Sequence, residues 1–411
     1  MLRNLSAAAF AVALVPAVYG QGAAFQTPGM PSTPSGYAAP GSSGQADRFS
    51  NVFNPAFSFV VDSIVDSIHS SGDSEDGEAI ELRSLELAGQ SWVDPDAWAY
   101  FVAATDGESL SVEEAAVHYR GFGGHSTLRA GRFFVDFGKQ MQTHIHELRT
   151  LERPLALRTF LGDEVKGDGL QWDSWSSIGD NTAVRWSIGA FASLLPETSD
   201  DFDPTTTAER SVSDRKHFED FGFTARLTGF SDVSENGVLQ LGASARVIPS
   251  FAYSFEPSGS EARSLNDTVL GLDATYGWTN ETGLSALTLG GEYLVDTGDT
   301  YSKIDDAGTP ADASDDVVDP VSDNLQGYYV FADWMWDKNN NVGLQYSRVD
   351  LPQTGTPSAN EVEAYYTRML SEFHRVRFVV AATDFDESED SVRFAIQYSA
   401  FVGAHGHGVN W

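Results

Sequence analysis

The segment RAGRFFVDFGKQMQTHIHELRTLERPLALRTFLGDEVKGDGLQW, residues 129–172, is the part of the chain that decides the predicted fold. Its first residues alternate between apolar and polar or small side chains, and its last residues, 169–172, do so again; both runs are typical of β-strands. Between them lies a long connection that carries His144, His146 and Glu147. A β-barrel can use a long polar connection of this kind to line or narrow its lumen.

The same two-residue period recurs on both sides of this segment. It is clearest where Leu239, Leu241, Ala243 and Ala245 alternate with Gln240, Gly242, Ser244 and Arg246. Successive side chains of a strand point to opposite faces, so each such run has one apolar and one polar face. The pattern predicts strands near residues 55–63, 79–91, 97–104, 111–120, 126–135, 169–176, 183–193, 221–230, 238–248, 268–278, 284–295, 325–336, 341–349, 361–369, 374–383 and 391–402.

The connections between these strands alternate in length. Short turns such as Asp94–Asp96 are followed by connections that are mostly longer: 64–78, 136–168, 194–220, 249–267, 296–324 and 350–360. Outer-membrane barrels have short periplasmic turns and long external loops, and an even strand number leaves both termini in the periplasm. The expected fold is an all-β transmembrane antiparallel barrel of about sixteen strands with a polar lumen.

The two ends of the chain differ in composition from the strands. Residues 1–20 combine a basic start, an apolar core and a small-residue cleavage context, which predicts a secretory signal peptide. Residues 21–50 are rich in Pro, Gly and Ser and are predicted to form a disordered periplasmic linker. The barrel is expected over 51–403, followed by a His/Gly tail at 404–411.

The composition excludes several classes of function. The formal net charge of −34 argues against nucleic acid as a partner, because phosphate binding needs a basic surface. The chain has no Cys, so no disulfide framework stabilises it. No GxSxG elbow, P-loop or HExxH motif occurs, and we predict no enzymatic activity.

Several short motifs resemble those of porin-like outer-membrane proteins described as zinc-regulated and, more distantly, those of phosphate-selective porins. They are Asn54–Ser58, Arg83–Glu86, Asp94–Asp96, Val112–Ala116, Leu128–Phe133, His144–Glu147, Arg153–Leu155, Phe160–Glu164, Gly167–Leu170, Gln397–Tyr398 and Gly403–His407. The resemblance implies a barrel in the outer membrane of a Gram-negative bacterium. It leaves open whether zinc is transported, is sensed or only controls expression. The loose label of TonB-dependent receptor does not fit, because a plug domain and a larger barrel exceed this length.

Two pairs of histidines are candidate metal ligands. His144, His146 and Glu147 offer two imidazoles and a carboxylate, ligand types that suit Zn²⁺ or another divalent cation. His405 and His407 form a second pair near the C-terminus. The alternatives are local polar contacts for the first set and a polar tail for the second. No cofactor is required for the predicted function.

Charged side chains with lumen parity are candidate pore-lining residues. Charge on the lipid face would cost about 2–4 kcal/mol at mid-bilayer, so the lumen is the expected location. These residues are Arg120, Arg129, Arg185, Arg226, Arg246, Arg377, Arg393, Glu114, Asp273 and Glu292, with Asp333 and Glu363 sharing the parity. They form either a charge network that braces the wall or an arginine ladder that guides anions.

The function expected from these features is passive diffusion of small hydrophilic solutes or ions, with a link to divalent metal. The alternative is a structural or surface-interaction barrel that the 136–168 connection occludes. Outer-membrane lipid and lipopolysaccharide are the expected partners, besides the solutes, and a homo-oligomer such as a trimer is compatible with the class. The acidic external runs are expected either to be merely solvated or to gather divalent cations at the surface.

Overall fold

The structure is a computed structural model that describes residues 56–71, 76–123, 125–194, 209–211, 217, 220–255, 258–309, 312–371, 373–386 and 390–403. The predicted signal peptide, the linker and the C-terminal tail with His405 and His407 lie outside the described residues. In the described part, the chain forms one closed barrel wall and one segment folded inside it.

The wall is a closed antiparallel barrel of 16 strands, which confirms the predicted fold. Each wall strand pairs with its neighbours, and the last strand returns to the first through register pairs from Ser58↔Gly403 to Ser70↔Ser391. The wall strands are β1 (Ala56–Ser70), β2 (Gly77–Asp94), β3 (Ala97–Thr105), β4 (Leu110–Tyr119), β5 (Ser126–Phe134), β6 (Lys166–Ile178), β7 (Thr182–Phe191), β9 (Gly222–Ser234), β10 (Gly237–Phe255), β11 (Ser260–Thr279), β12 (Ala286–Gly298), β15 (Leu325–Asp337), β16 (Asn340–Asp350), β17 (Ser358–Ser371), β18 (His374–Phe385) and β19 (Ser391–Gly403).

Three further strands were not predicted. A three-residue strand, β8 (Glu209–Ser211), pairs with β10. A separate hairpin of β13 (Tyr301–Asp305) and β14 (Val317–Val321) lies in the connection predicted as the loop 296–324. The one helix of regular length among the described residues is α1 (Leu155–Leu161), and no described helix has the length and apolar character needed to cross a membrane.

The outer and inner faces of the wall differ as the alternation predicts. On β11, Leu270 and Leu272 are 48% and 62% exposed, whereas Asp273 and Thr275, which follow them with the opposite parity, are buried. Large apolar side chains are likewise exposed on the outer face of the other wall strands. A continuous apolar belt of this kind is stable against lipid tails, so the barrel is of the membrane-spanning, outer-membrane type.

Two connections predicted as long loops are mostly strand. β1 continues to Ser70 and β2 begins at Gly77, so only residues 71–76 of the predicted loop 64–78 lie between the two strands. In the same way, β10 and β11 extend through most of the predicted loop 249–267. For β10 and β11 the prediction was wrong because the β13–β14 hairpin, which lies outside the barrel pattern, packs on their extensions, with the Val318 amide donating to Ser260 Oγ at 3.0 Å.

Two β-bulges interrupt the alternation on β2 and β4. The register passes from Asp62↔Ser84 to Ser63↔Leu82, which leaves Arg83 as the extra residue. It also passes from Val102↔Glu114 to Ala103↔Val112, which leaves Glu113 as the extra residue. A bulge lets consecutive side chains face the same side, and Glu113 and Glu114 are indeed both buried inside the barrel.

Residues 135–165, called the inner loop here, leave the end of β5 and fold into the lumen. Part of the inner loop is apolar and packs on the inner side of the wall between β7 and β17. This core includes Phe137, Met141, Leu155, Phe160 and Leu161 of the loop and Phe191, Ile248, Val269, Leu294, Tyr329 and Val349 of the wall. The loop is therefore held on one side of the lumen by apolar packing.

Candidate functional site: the inner loop and the wall it contacts

The start of the inner loop is anchored by Asp136. Its Oδ2 lies 2.7 Å from Arg185 Nη1 and accepts a hydrogen bond from Ser187 Oγ at 2.5 Å, and its Oδ1 lies 3.7 Å from Arg226 Nε. The two arginines also pair with wall carboxylates, Asp173 and Asp273. Because all these groups are buried, removing one member leaves charge without a partner, and this fixes the position of the loop.

The next contact between the inner loop and the wall depends on the absence of a side chain at Gly138. Gly138 has φ +55°, and a Cβ there would lie 2.2 Å from Glu292 Oε2. The Gly138 amide donates to Ser244 Oγ at 3.0 Å, and the Lys139 amide donates to Glu292. Lys139 Nζ donates to Gln240 Oε1 at 3.0 Å, while burial, with Arg149 and Arg226 adding, lowers the pKa of Lys139 to about 7.

The middle of the loop places both histidines against wall carboxylates. His144 Nδ1 lies 3.1 Å from Glu113 Oε2 and 3.4 Å from Glu86 Oε2, and His144 Nε2 lies 2.9 Å from Glu114 Oε1. His146 Nδ1 lies 2.6 Å from Glu86 Oε1. Both imidazoles are 0% exposed. The bulge on β4 makes this cluster because, without it, Glu113 would face the lipid.

The predicted ligand set of His144, His146 and Glu147 is not the set that the structure brings together. The two imidazole ring centroids are 5.8 Å apart. The described group whose ligand atoms all lie within 4.8 Å of one another is Glu86, Glu113 and His144. Glu86 and Glu113 were missed because they lie on distant strands and because a strict period of two turns Glu113 outwards. Burial raises the pKa of Glu147 to about 7, against the opposing effect of His144 and Arg375.

The later part of the loop is held by charged side chains of the opposite wall. Arg377 Nη1 donates to the Thr150 carbonyl at 2.8 Å and Nη2 donates to the Leu148 carbonyl at 2.7 Å. Glu363 Oε1 accepts from the Leu151 amide at 2.7 Å. The loop carbonyls that an irregular backbone leaves without partners are thus satisfied by the wall.

Glu152 completes this polar contact. It lies 2.9 Å from Arg83 Nη2 and 3.3 Å from Arg393 Nη1. Burial alone would raise the pKa of Glu152, but Arg83, Arg158 and Arg393 together hold it below its usual value. Arg158 on α1 in turn pairs with Glu361 at 2.5 Å. The later part of the inner loop is therefore fastened to the wall by ion pairs, beside a second, smaller apolar cluster in which Leu151 packs with Ile64, Tyr365, Val379 and Ala395.

Most of the predicted pore-lining residues face inwards but are covered. Arg129, Arg185, Arg226, Arg246, Arg377, Glu114, Asp273 and Glu292 are all buried. Arg393 is partly exposed and pairs with Asp66 at 2.6 Å. Arg120 lies just beyond β4, is exposed and stacks over the Trp92 ring at 4.7 Å.

Arg185, Arg226 and Arg246 are paired with carboxylates rather than arranged as a free positive ladder. Arg226 makes a bidentate pair with Asp273 at 2.7 and 3.1 Å, and Arg246 makes one with Asp267 at 2.9 and 3.0 Å. Asp333 and Glu363 also face inwards and are buried. This arrangement is the one expected of a network that braces the wall and the inner loop.

Comparison with known proteins gives a distant relative and a clear structural class. No protein-family profile matches the chain. An uncharacterized protein of Aquifex aeolicus is 24% identical over 364 residues, which is 82% of this chain and 72% of that protein. The zinc-regulated family suggested by the sequence motifs therefore stays a prediction.

Three solved structures share the architecture. The outer-membrane channel DcaP of Acinetobacter baumannii is 12% identical, with a TM-score of 0.52 over 85% of this chain and 97% of that one. An anion-selective porin from Comamonas acidovorans is 12% identical, with a TM-score of 0.51 over 84% and 99%. OmpT of Vibrio cholerae, an outer-membrane protein solved in a trimer form, is 10% identical, with a TM-score of 0.52 over 85% and 100%. The chain therefore has the 16-strand fold of outer-membrane porins and is an outer-membrane β-barrel.

Proposed function

We propose that this protein is a porin-like channel for passive diffusion of small hydrophilic solutes or ions, with a lumen narrowed by the inner loop. The observation that carries the proposal is the inner loop itself, which lies in a barrel whose inner wall carries many polar and charged side chains beside an apolar patch. Polar and charged side chains inside a barrel are typical of barrels that conduct. The channel architecture of DcaP and of the anion-selective porin supports the same class.

A hydrated path is expected on the side of the loop fastened by ion pairs. There the contacts are made by Arg83, Arg377, Glu152 and Glu363, which water can solvate when the contact opens. Elsewhere the loop packs in a larger apolar core, which excludes water; the smaller cluster of Leu151 with Ile64, Tyr365, Val379 and Ala395 lies beside the ion-paired contacts. The path therefore runs between the inner loop and strands β17 to β19, β1 and β2.

Selectivity between cations and anions is expected to be weak. Arg185, Arg226 and Arg246 are each neutralised by a neighbouring carboxylate, so the wall presents mixed charge. The acidic external segments, with the formal net charge of −34, raise the cation concentration near the barrel mouth. Because the three arginines form no ladder of uncompensated charge that would select ions of one sign, we expect small hydrophilic solutes of either sign to enter.

The second candidate is an occluded barrel that serves as a structural or surface-interaction protein. It is favoured by the burial of the inner loop: Val135, Phe137, His144 and His146 are all 0% exposed. The two candidates differ in whether the ion-paired contact opens in the membrane.

Planar-bilayer conductance distinguishes the candidates. The wild type is compared with a variant in which residues 139–164 are replaced by a short Gly/Ser linker, and with a control in which the external segment 306–316 is shortened. The channel proposal expects small ohmic openings from the wild type and the control, and larger ones from the inner-loop variant. A silent wild type beside a conducting inner-loop variant refutes the channel and supports the occluded barrel.

The proposed partners of the protein are those expected of an outer-membrane porin. The apolar belt contacts outer-membrane lipid, and lipopolysaccharide is the expected neighbour of the acidic external loops, with divalent cations between them. Homo-oligomerisation is supported by the trimer form of the Vibrio cholerae protein, and a cleft of about 910 Å³ on the outer face of β1, β2 and β16 to β19 offers a contact surface. Cross-linking in detergent and in native membranes tests the assembly: a chain that remains a monomer in both contradicts it.

A further inference from the structure

We propose that Glu86, Glu113 and His144 form a binding site for one divalent transition-metal ion, which links the inner loop to the wall. The proposal is independent of whether the barrel conducts, since it concerns the contact between the loop and strands β2 and β4. It differs from the ligand set predicted from the sequence, because two of its three ligands come from the wall.

The separations between the ligand atoms suit a small metal ion. His144 Nδ1 lies 3.1 Å from Glu113 Oε2 and 3.4 Å from Glu86 Oε2, and all three ligand atoms lie within 4.8 Å of one another. Zinc bonds to nitrogen and oxygen of about 2.0–2.2 Å with tetrahedral angles place ligand atoms roughly 3.3–3.5 Å apart. Only small side-chain movements are needed to bind an ion, with a water as the fourth ligand.

A buried oxygen that accepts no hydrogen bond, and whose ion-pair contact is His144 Nδ1 at 3.4 Å, points into the site. Glu86 is 1% exposed, and its Oε2 has no hydrogen-bond partner among the described residues. Glu86 Oε1, by contrast, is engaged by His146. A buried carboxylate oxygen that accepts no hydrogen bond is costly, and a bound cation would satisfy it.

The outer contacts of the histidine orient it for metal binding. His144 Nε2 lies at 2.9 Å from Glu114 Oε1, and Glu114 Oε2 accepts a hydrogen bond from the Tyr100 hydroxyl at 2.7 Å. A metal-bound imidazole commonly donates its other N–H to a carboxylate in this way. Glu114 therefore holds the ring with Nδ1 directed at Glu86 and Glu113.

The charge and the donor types indicate the class of ion. Three buried carboxylates, Glu86, Glu113 and Glu114, face this imidazole, and a divalent cation would offset their charge. An imidazole nitrogen with carboxylate oxygens suits Zn²⁺ and similar transition metals, whereas Ca²⁺ and Mg²⁺ prefer sites made of oxygen alone. The competing arrangement is a protonated His144 that pairs with the carboxylates without a metal.

Zinc binding to the folded full chain tests the site. The protein is treated with a chelator, titrated with ZnCl₂ by calorimetry, and its metal content is measured after gel filtration. The variants are Glu86→Gln and Glu113→Gln, which keep the shape and remove the charge. Glu363→Gln is the matched control, a buried carboxylate that contacts the inner loop at Leu151 away from the site.

We expect the wild type and Glu363→Gln to bind one zinc ion per chain. Glu86→Gln and Glu113→Gln should bind zinc with at least a ~10-fold weaker affinity, as is typical when a side chain that supports a metal site is replaced. Equal uptake by all four proteins overturns the proposal. The proposal is also overturned if deletion of residues 404–411 abolishes zinc uptake while Glu113→Gln retains it, since the C-terminal histidines would then hold the metal.

A measurement on the wild type keeps the test decisive if the variants fold poorly. Zinc X-ray absorption of the loaded protein should show one imidazole with oxygen ligands. A spectrum without imidazole scattering, or with oxygen ligands and several imidazoles, overturns the assignment. CaCl₂ in place of ZnCl₂ should give at least a ~10-fold weaker affinity, because the nitrogen ligand disfavours hard cations.

Discussion

Replacing Arg377 by Gln is expected to release the ion-paired side of the inner loop while leaving the barrel closed. Arg377 donates to the carbonyls of Thr150 and Leu148 at 2.8 and 2.7 Å, and all these groups are buried. Hydrogen bonds from charged groups contribute about 1.5–3 kcal/mol each, and a shorter Gln side chain cannot reach both carbonyls. The expected loss is about 3 kcal/mol of docking free energy.

A loss of that size increases the undocked fraction of the inner loop by roughly 100-fold, since every 1.4 kcal/mol is a factor of ten. Two assays detect it: single-channel conductance in planar bilayers, and hydrogen exchange of the amides at 144–153. We expect larger or more frequent openings and faster exchange in this segment only. The matched control is Arg246→Gln, which breaks a buried pair with Asp267 within the wall. The control should lower the thermal stability of the barrel without changing the conductance. Conductance and exchange that stay at wild-type values in Arg377→Gln would refute the reasoning.

Three further outcomes are expected. Gly138→Ala should lower the thermal unfolding midpoint, measured by heat-modifiable gel mobility, because the added Cβ would lie 2.2 Å from Glu292 Oε2. The control Gly259→Ala, at φ +65° with no atom within 4 Å, should cost only the backbone strain of about 1 kcal/mol. Equal midpoints for the two variants would contradict the prediction. The pKa of Lys139 is about 7 in the folded protein against 10.5 for the free group, so the unfolded chain binds more protons than the folded chain between these pH values. The stability of the wild type should therefore rise from pH 7 to pH 10, and that of Lys139→Met should rise less. Parallel pH profiles of the two proteins would contradict this prediction. Calcium should raise the hydrogen-exchange protection of the acidic segment 306–316 weakly, and an unchanged profile would mean that these carboxylates only solubilise the surface.

Sequence reasoning located the wall because the wall follows one simple physical rule. Side chains of a strand alternate, and a barrel in lipid must be apolar outside and polar inside, so the sixteen wall strands appear in the sequence as runs of period two. The rule fails where lipid no longer acts on the outer face. Beyond the membrane, β10 and β11 continue and the β13–β14 hairpin packs on them, which the alternation alone does not indicate.

The ligands of the candidate metal site could be identified only in part from the sequence. His144 was identified as a candidate ligand from its residue type and from its place in a long connection. Its partner Glu113 lies 31 positions earlier, on a strand whose alternation a bulge interrupts. A bulge shifts the register by one residue, and one residue is enough to turn a side chain from lipid to lumen.

By itself, the sequence determined the strands, their inward and outward faces, the predicted location in an outer membrane and the presence of a long polar connection, since each depends on local alternation and composition. The tertiary structure alone decided that this connection lies inside the barrel, that both apolar packing and ion pairs hold it to the wall, and that Glu86 and Glu113 meet His144. Those features depend on closure of the barrel, which pairs β1 with β19 and brings residues far apart in the chain to a common interior. No local pattern carries that information, because the contacts are made across the lumen rather than along a strand.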